Sequence, residues 1–460
     1  MFRIKAVHMP SLTEAIGMIV IMVSLMSVSI IYYETPPHIA LLLAMLALIT
    51  YGLIKKVSYK QLESGMVEGA KAGIAAVFLF FMIGILIASW MLAGTIPTLI
   101  YGGFELVTPK YFLAIIFVVT AIIGMSVGSS LTTVGTVGLA FIGISTALGV
   151  SLPMTAGAIV SGAFFGDKMS PLSDTTNMAS SILDVDLFDH IKNMAWTTLP
   201  AFLISFILFA LLSPNMSKTD FTKMNEFQNS LLDTGLINWY AALIPIAVLL
   251  FLSIKKVPAF LALTAGSITA IIISLFTNKQ GFGSILSTLF GGYVSETGNT
   301  EIDELLTRGG MESMLFTIGI VLLALSLGGL LFSLGIVPKL LQSVENMLKT
   351  VKSVILSSAL TAVGINVLIG EQYLSILLTG EAYASQYDKV GLAKINLARV
   401  SEDAGTVVNP LVPWSVCGVF IASVLDVSTL SYLPFTFFCL LSPILTIIFG
   451  MSGKTLTYSK

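Results

Sequence analysis

The sequence predicts an all-α polytopic membrane protein: two inverted repeats of about five spans each, each with a re-entrant hairpin and a broken helix. Three observations carry the prediction. Of 460 residues, 56% are apolar and only 10% charged, against about 25% charged in an ordinary soluble domain, and mean hydropathy is +0.95. Apolar runs near the roughly 20 residues needed to cross a bilayer core recur along the chain. Polar, Gly- and Pro-containing stretches interrupt some of these runs, and such backbone survives at membrane depth only where protein or water surrounds it.

The elements follow in order. Residues 1–10 form a short leading segment, and 11–33 the first span. The apolar run from Ala15 to Tyr33 exceeds the roughly 7–15 residues of a signal core, and no small-x-small cleavage site follows it. Spans 37–54 and 73–94 come next. Residues 111–149 are too long for one crossing and are interrupted at Gly124-Met125-Ser126-Val127-Gly128-Ser129-Ser130, so they read as a hairpin. Residues 153–183 are broken by Gly166, Asp167, Lys168, Pro171 and Asp174, and 195–213 closes a first repeat spanning 11–213. A polar linker, 214–236, leads to spans 237–254, 258–277 and 313–335, a hairpin at 353–385, a broken stretch at 395–427 and a last span at 433–450. The second repeat is thus 237–450, followed by a tail at 451–460.

Landmarks recur in the same order in both halves. Gly94-Thr95-Ile96-Pro97 matches Gly335-Ile336-Val337-Pro338, and Gly128 to Gly138 matches Gly370 to Gly380. In the broken stretches Asp167 matches Asp403, and Pro171-Leu172 matches Pro410-Leu411. Basic residues favour the cytoplasmic side of short loops. With both termini inside, sixteen Lys and Arg fall inside and five outside (Lys110, Lys218, Lys223, Lys279 and Arg308), leaving Lys168 and Arg399 at depth. Each repeat then crosses five times, and an odd number inverts the second. Inverted repeats with interrupted helices imply a secondary transporter; a channel is the alternative.

Several function classes are excluded. The balance of 23 Lys and Arg against 25 Asp and Glu leaves no basic surface for nucleic acid. Cys417 and Cys439 lie in apolar runs, and His8, His38 and His190 are scattered, so no disulfide framework, metal centre or cofactor is expected. No Ser/His or His-Glu-x-x-His arrangement points to an enzyme. His190, beside Asp184, Asp186 and Asp189, reads as part of a solvated acidic loop.

The chemistry is expected where charges sit at depth, each costing roughly 2.5–3.5 kcal/mol on insertion scales. Asp167 and Asp174 flank Pro171, whose missing N–H frees a carbonyl and lets two half-helices converge. Their carboxylates form a hard-cation site, with Ser170, Ser173, Thr175, Thr176 and Asn177 as supporting ligands. The alternative for each hydroxyl is capping of a half-helix. Asp403 and Glu371 are further ion- or proton-exchanging candidates, with Thr406 and Asn409 in support. The hairpin tips offer Ser129, Ser130, Thr132, Thr133 and Gln372, either as ion contacts or as small residues for close packing. Lys168, Arg399 and Glu402 are read as charge-pairing groups.

The segment from Ser161-Gly162-Ala163-Phe164-Phe165 through Gly166 to Asn177 resembles the signature of the NhaC family of bacterial Na+/H+ antiporters. The Glu402-to-Pro410 segment resembles its second-half counterpart. The resemblance runs over essentially the whole chain and implies the ion transporter superfamily fold and a bacterial cytoplasmic membrane, with Na+, H+ and lipid as partners. A homodimer is an open expectation. It also implies exchange in which Na+ and H+ compete for a buried carboxylate, Na+ being held at Asp167 and Asp174. The family is similar to exchangers of malate and lactate, so Na+- and H+-coupled organic-anion exchange is the alternative.

Overall fold

Proline, glycine and hydroxyl residues set the helix boundaries in the computed structural model, which describes residues 4–106, 111–214, 227–277, 281–345 and 350–459. Arg3, Lys110, Lys218, Lys223, Lys279, Lys349, Lys460 and linker residues 215–226 lie outside the described residues. Regular structure among the described residues is helical, apart from two isolated bridges, Tyr293 with Arg308 and Leu392 with Tyr458. Eight helices are long and apolar enough to cross a membrane, or ten if each of two bent pairs counts as one span.

Helices α1 (Leu12–Tyr32) and α2 (Pro37–Ile54) match the first two expected spans. The stretch before the third is a further helix, α3 (Tyr59–Lys71), opened by a Ser58–Gln61 capping box. It lies against α15 (Leu315–Ser333) so closely that a Cβ on Gly69 would meet the Leu325 carbonyl at 2.2 Å. Helix α4 (Ile74–Leu92) is the third span, followed by the short α5 (Thr95–Leu106).

The expected hairpin consists of α6 (Phe112–Val127) and α7 (Ser130–Ala147). Gly128 closes α6 in the left-handed region at φ 69°, which residues with a Cβ resist. Next comes α8 (Leu152–Met169), which packs along α6; a Cβ on Gly166 would stand 2.3 Å from the Ala121 carbonyl. The chain leaves the helix at Ser170 and re-enters at α9 (Asp174–Ile182), so Asp167 and Lys168 belong to the last turn of α8 rather than to the break itself.

Helix α10 runs Leu187–Leu212 and starts earlier than the expected span at 195–213, because Asp186 caps it through the N–H groups of Phe188 (2.9 Å) and Asp189 (3.0 Å). That overturns the loop reading of His190: its side chain is fully buried in the bundle, and neither ring nitrogen has a hydrogen-bond partner. The second half opens with α11 (Trp239–Ile254), α12 (Ala259–Thr277), α13 (Phe282–Gly291) and α14 (Thr300–Leu306) before α15. After α16 (Ile336–Glu345), the hairpin α17 (Val351–Ile369) and α18 (Gln372–Lys389) turns at Gly370, φ 75°. Helix α19 (Lys394–Leu411) carries a π-helical turn at Glu402–Thr406 and meets α20 (Val416–Leu425) at 44°. The last expected span is also bent: α21 (Thr429–Phe435) and α22 (Phe437–Ser452) meet at 60°, where Pro434 withholds its N–H and Thr436 leaves the helical region.

The succession α4 to α10 therefore repeats as α15 to α22. Cap geometry also corrects the register within it. Ser170 and Val412 are both extended C-caps, and Ser173 and Ser415 are both side-chain N-caps, at the same offset that relates Gly128 to Gly370. At that offset the counterpart of Asp167 is Asn409, not Asp403. Matching acidic residues by type misaligned the halves, because the break and not the charge marks the equivalent place.

Candidate functional site

The two hairpin tips and the first break line one small cavity of 60 Å³. Its walls include Ser129, Ser130, Leu131 and Thr132 of the first tip, Gln372 and Tyr373 of the second, and Asp167, Asp174 and Thr175 around the break. Helices α4 and α12 close it with Leu79, Ile83, Ala259 and Leu263. Asp167 is 4% exposed, and its Oδ2 accepts a hydrogen bond from the Ser130 N–H at 3.1 Å, an otherwise unsatisfied donor at the start of α7. That tip is rigid: Ser129 Oγ accepts from the Thr132 N–H at 3.3 Å, and Thr133 Oγ1 donates to the Ser129 carbonyl at 2.9 Å.

Asp174 opens α9, and its side chain is exposed to open space rather than packed. It lines the 60 Å³ cavity and two wider ones, of 250 Å³ beside Lys256 and Asn177 and of 540 Å³ beside Glu68, Lys71 and Glu371. The structure thus sets the two aspartates at one cavity in different settings, one enclosed and one at the junction of three hollows.

Most of the supporting hydroxyls are engaged in holding the break. Ser170 Oγ donates to the Met125 carbonyl (2.7 Å), and Thr176 Oγ1 to the Lys168 carbonyl (3.1 Å). Asn177 donates to the carbonyls of Pro171 (2.9 Å) and Ser173 (2.7 Å). Ser173 caps α9 and pairs with the Thr175 hydroxyl at 3.0 Å. These bonds satisfy backbone groups that Pro171 and the helix ends expose.

The second-half carboxylates have other surroundings. Asp403 is fully buried, ion-paired with the fully buried Lys168, and accepts from Thr197 (2.8 Å) and Ser442 (2.8 Å). Lys168 also donates to Ser442 at 3.2 Å and sits over the Phe438 ring. The cluster ties α8, α10, α19 and α22 together. Glu402, next in chain to Asp403, is fully buried with no hydrogen-bond partner on either oxygen, and the Thr406 hydroxyl also lacks one. Glu371 caps α18 by accepting from the Leu374 N–H at 2.7 Å. Arg399 donates to the Thr455 carbonyl at 3.0 Å and to no carboxylate among the described residues. Asn409, at the position corresponding to Asp167, accepts from the Cys417 N–H (2.9 Å) and donates to Asn366 (2.8 Å).

Thr197, Ser442 and Asn366 were not legible in the sequence, since each is an ordinary polar residue in an apolar helix until its partner arrives from another element. No group of three or more His, Cys, Asp or Glu side chains among the described residues is arranged to hold a resident metal.

Residues 162–454 match the sequence profile described as the Na+/H+ antiporter family. The chain is 41% identical to the Na(+)/H(+) antiporter NhaC of Alkalihalophilus pseudofirmus, over 94% of each chain. It is 37% identical to the Na(+)/H(+) antiporter NhaC of Bacillus subtilis, over 96% of this chain and 98% of that one. The malate-2H(+)/Na(+)-lactate antiporter of Bacillus subtilis is 33% identical, over 99% and 98% respectively.

Proposed function

The chain belongs to the Na+/H+ antiporter family, and we propose that it exchanges Na+ for H+ across the membrane at Asp167, with Asp174 gathering cations at the mouth of the site. The observation that carries this reading is the placement of Asp167: enclosed, held on one oxygen by the Ser130 N–H, and lining a 60 Å³ cavity that shares Asp174 with two wider hollows. An isolated carboxylate in dry surroundings needs neutralising, by a proton or by a cation. A protonated carboxyl is a poor cation ligand, so the two compete for the same oxygens. If only a neutralised site reorients, a gradient of one ion drives the other in the opposite direction. The two halves run inverted to one another, both termini are cytoplasmic, and rocking of one half against the other exposes the cavity to each side in turn. Lys71 and Lys256 line the wider cavities, in keeping with a cytoplasmic opening.

The name of the malate- and lactate-exchanging relative supports a second reading, as do the N-termini of α7 and α18 at the cavity, which favour anions. Size argues for the first: the cavity at Asp167, 60 Å³, is the smallest of the three that Asp174 lines, which suits a small cation better than a dicarboxylate.

The test is dequenching of a pH dye in proteoliposomes after adding Na+, Li+, K+, malate or lactate separately. Proton movement on Na+ alone, absent in Asp167→Asn, is expected. Movement only with malate or lactate present selects the second reading. Wild-type exchange in Asp167→Asn removes that residue from the mechanism.

A further inference from the structure

Gln372, the first residue of α18, is 6% exposed, and its Oε1 has no hydrogen-bond partner. It lines the 60 Å³ cavity together with Asp167 and Asp174, and also the 540 Å³ hollow beyond. A buried amide oxygen left without a donor calls for an occupant, whether water or an ion. The tip that carries it is fixed. Gly370 turns in the left-handed region, its carbonyl accepts from the Val416 N–H at 2.8 Å, and Glu371 caps the following turn.

The other tip behaves differently at the equivalent position. Gln372 corresponds to Ser130, at the offset that relates Gly370 to Gly128, and the Ser130 N–H is given to Asp167. One tip therefore supplies a donor that orients the carboxylate, and the other carries an unpartnered neutral oxygen on a side chain that lines the cavity. A carboxylate oxygen and an amide oxygen are a hard donor set suited to an alkali cation. The cavity is the smallest of the three that Asp174 lines, so protein oxygens on its walls lie close to a cation held there.

We infer that Gln372 Oε1 is a ligand to the transported cation, contributed by the second half of the chain, and that it sets which alkali cation the site prefers. This rests on the Asp167 reading above. Ligand number and cavity size decide selectivity among hard cations, and a ligand set drawn from both halves lets cation occupancy bias how the halves sit together.

The test compares Gln372→Met, which keeps the length and removes the oxygen, with Gln372→Glu, which keeps an oxygen, in proteoliposomes over Na+ and Li+ series at alkaline pH. In Gln372→Met the half-saturating Na+ concentration should rise about tenfold, with the maximal rate within about twofold and the Na+/Li+ preference altered. Gln372→Glu should restore Na+ affinity to the wild-type range. A merely structural role would lower the maximal rate and leave the Na+/Li+ ratio alone. An unchanged half-saturating concentration and ratio in Gln372→Met overturns the proposal. If that variant is not monodisperse, Gln372→Asn, which withdraws the oxygen by one methylene, decides on the same two readouts. Loss of exchange in Asp167→Asn with no effect at Gln372 rejects this inference alone; wild-type exchange in Asp167→Asn rejects the underlying reading.

Discussion

Asp167 and Asp403 sit at the interrupted helices of the two halves, both enclosed, and their surroundings are opposite. Asp403 faces Lys168, Thr197 and Ser442 at once. Asp167 has the Ser130 N–H, the hydroxyls of Ser130 and Ser173, no cationic partner among the described residues, and a cavity. A carboxylate paired with a buried ammonium and two hydroxyls has little reason to exchange partners, whereas one with no cation beside it is neutralised by whatever the cavity admits. On the reading proposed above, burial alone does not make an ion site; a carboxylate with no cation partner beside a hollow does.

The sharpest way to break that contrast is to remove each charge in turn. Asp167→Asn should lower Na+-driven proton movement at least about a hundredfold, with the thermal unfolding temperature in detergent close to wild type. Lys168→Met should do the reverse of a clean active-site change, destabilising the fold by about 3–5 kcal/mol because it strands Asp403 in the interior. Lys168→Met combined with Asp403→Leu should recover much of that loss, as read by denaturant unfolding. Should the single variant prove neutral, Asp403 is not locked and the contrast fails.

Smaller effects grade the two environments. Thr197→Val removes one bond to a buried charge and should cost about 1.5–3 kcal/mol, without changing the half-saturating Na+ concentration. Asp174→Asn should raise that concentration about three- to tenfold at low ionic strength and less in high salt, since an exposed charge attracts cations through a screened field. Asp303, outside the membrane-spanning helices, tests saturation without burial. The Thr297 N–H, with the hydroxyls of Thr297 and Ser295 and the Gly298 N–H, holds its carboxyl below the usual aspartate range. A depressed value stabilises the 295–303 loop above the ordinary aspartate pKa, and the effect is lost as pH falls through the folded value. Hydrogen-exchange protection in that loop, taken relative to the intrinsic rate at each pH, should therefore fall in acid for wild type, and be lower and nearly pH-independent in Asp303→Asn, with transport unaffected.

Spans, hairpins and the existence of both breaks were legible because they depend on local properties: runs of apolar residues, Gly at a left-handed turn, Pro where a backbone donor is missing. Gly128 and Gly370 mark their turns from sequence alone. Boundaries set by a cap were less so. Asp186 draws α10 back to include His190, although the three acidic residues around it look like a loop. The bend at Thr436 follows Pro434, a signal the sequence contains but which a run of apolar residues on either side masks.

At the candidate site, the structure sorts the residues that the sequence singles out by the partners it brings to them. Ser170, Thr176 and Asn177 were candidate ligands and are hydrogen-bonded to the backbone of the break. Arg399 was a candidate partner for a carboxylate and reaches Thr455 instead. Both outcomes turn on which element arrives opposite, and that is not written in the neighbouring residues.

Composition and periodicity by themselves determined a helical membrane protein with charged residues retained at depth, since transfer of apolar side chains and the cost of stranded charge are properties of residues wherever they lie. The division of labour among the acids was decided only by packing. Lys168 points from α8 to a carboxylate on α19, while its neighbour Asp167 meets the tip of α7. Electrostatic pairing falls off over a few ångströms, so it is governed by helices brought side by side and not by separation along the chain.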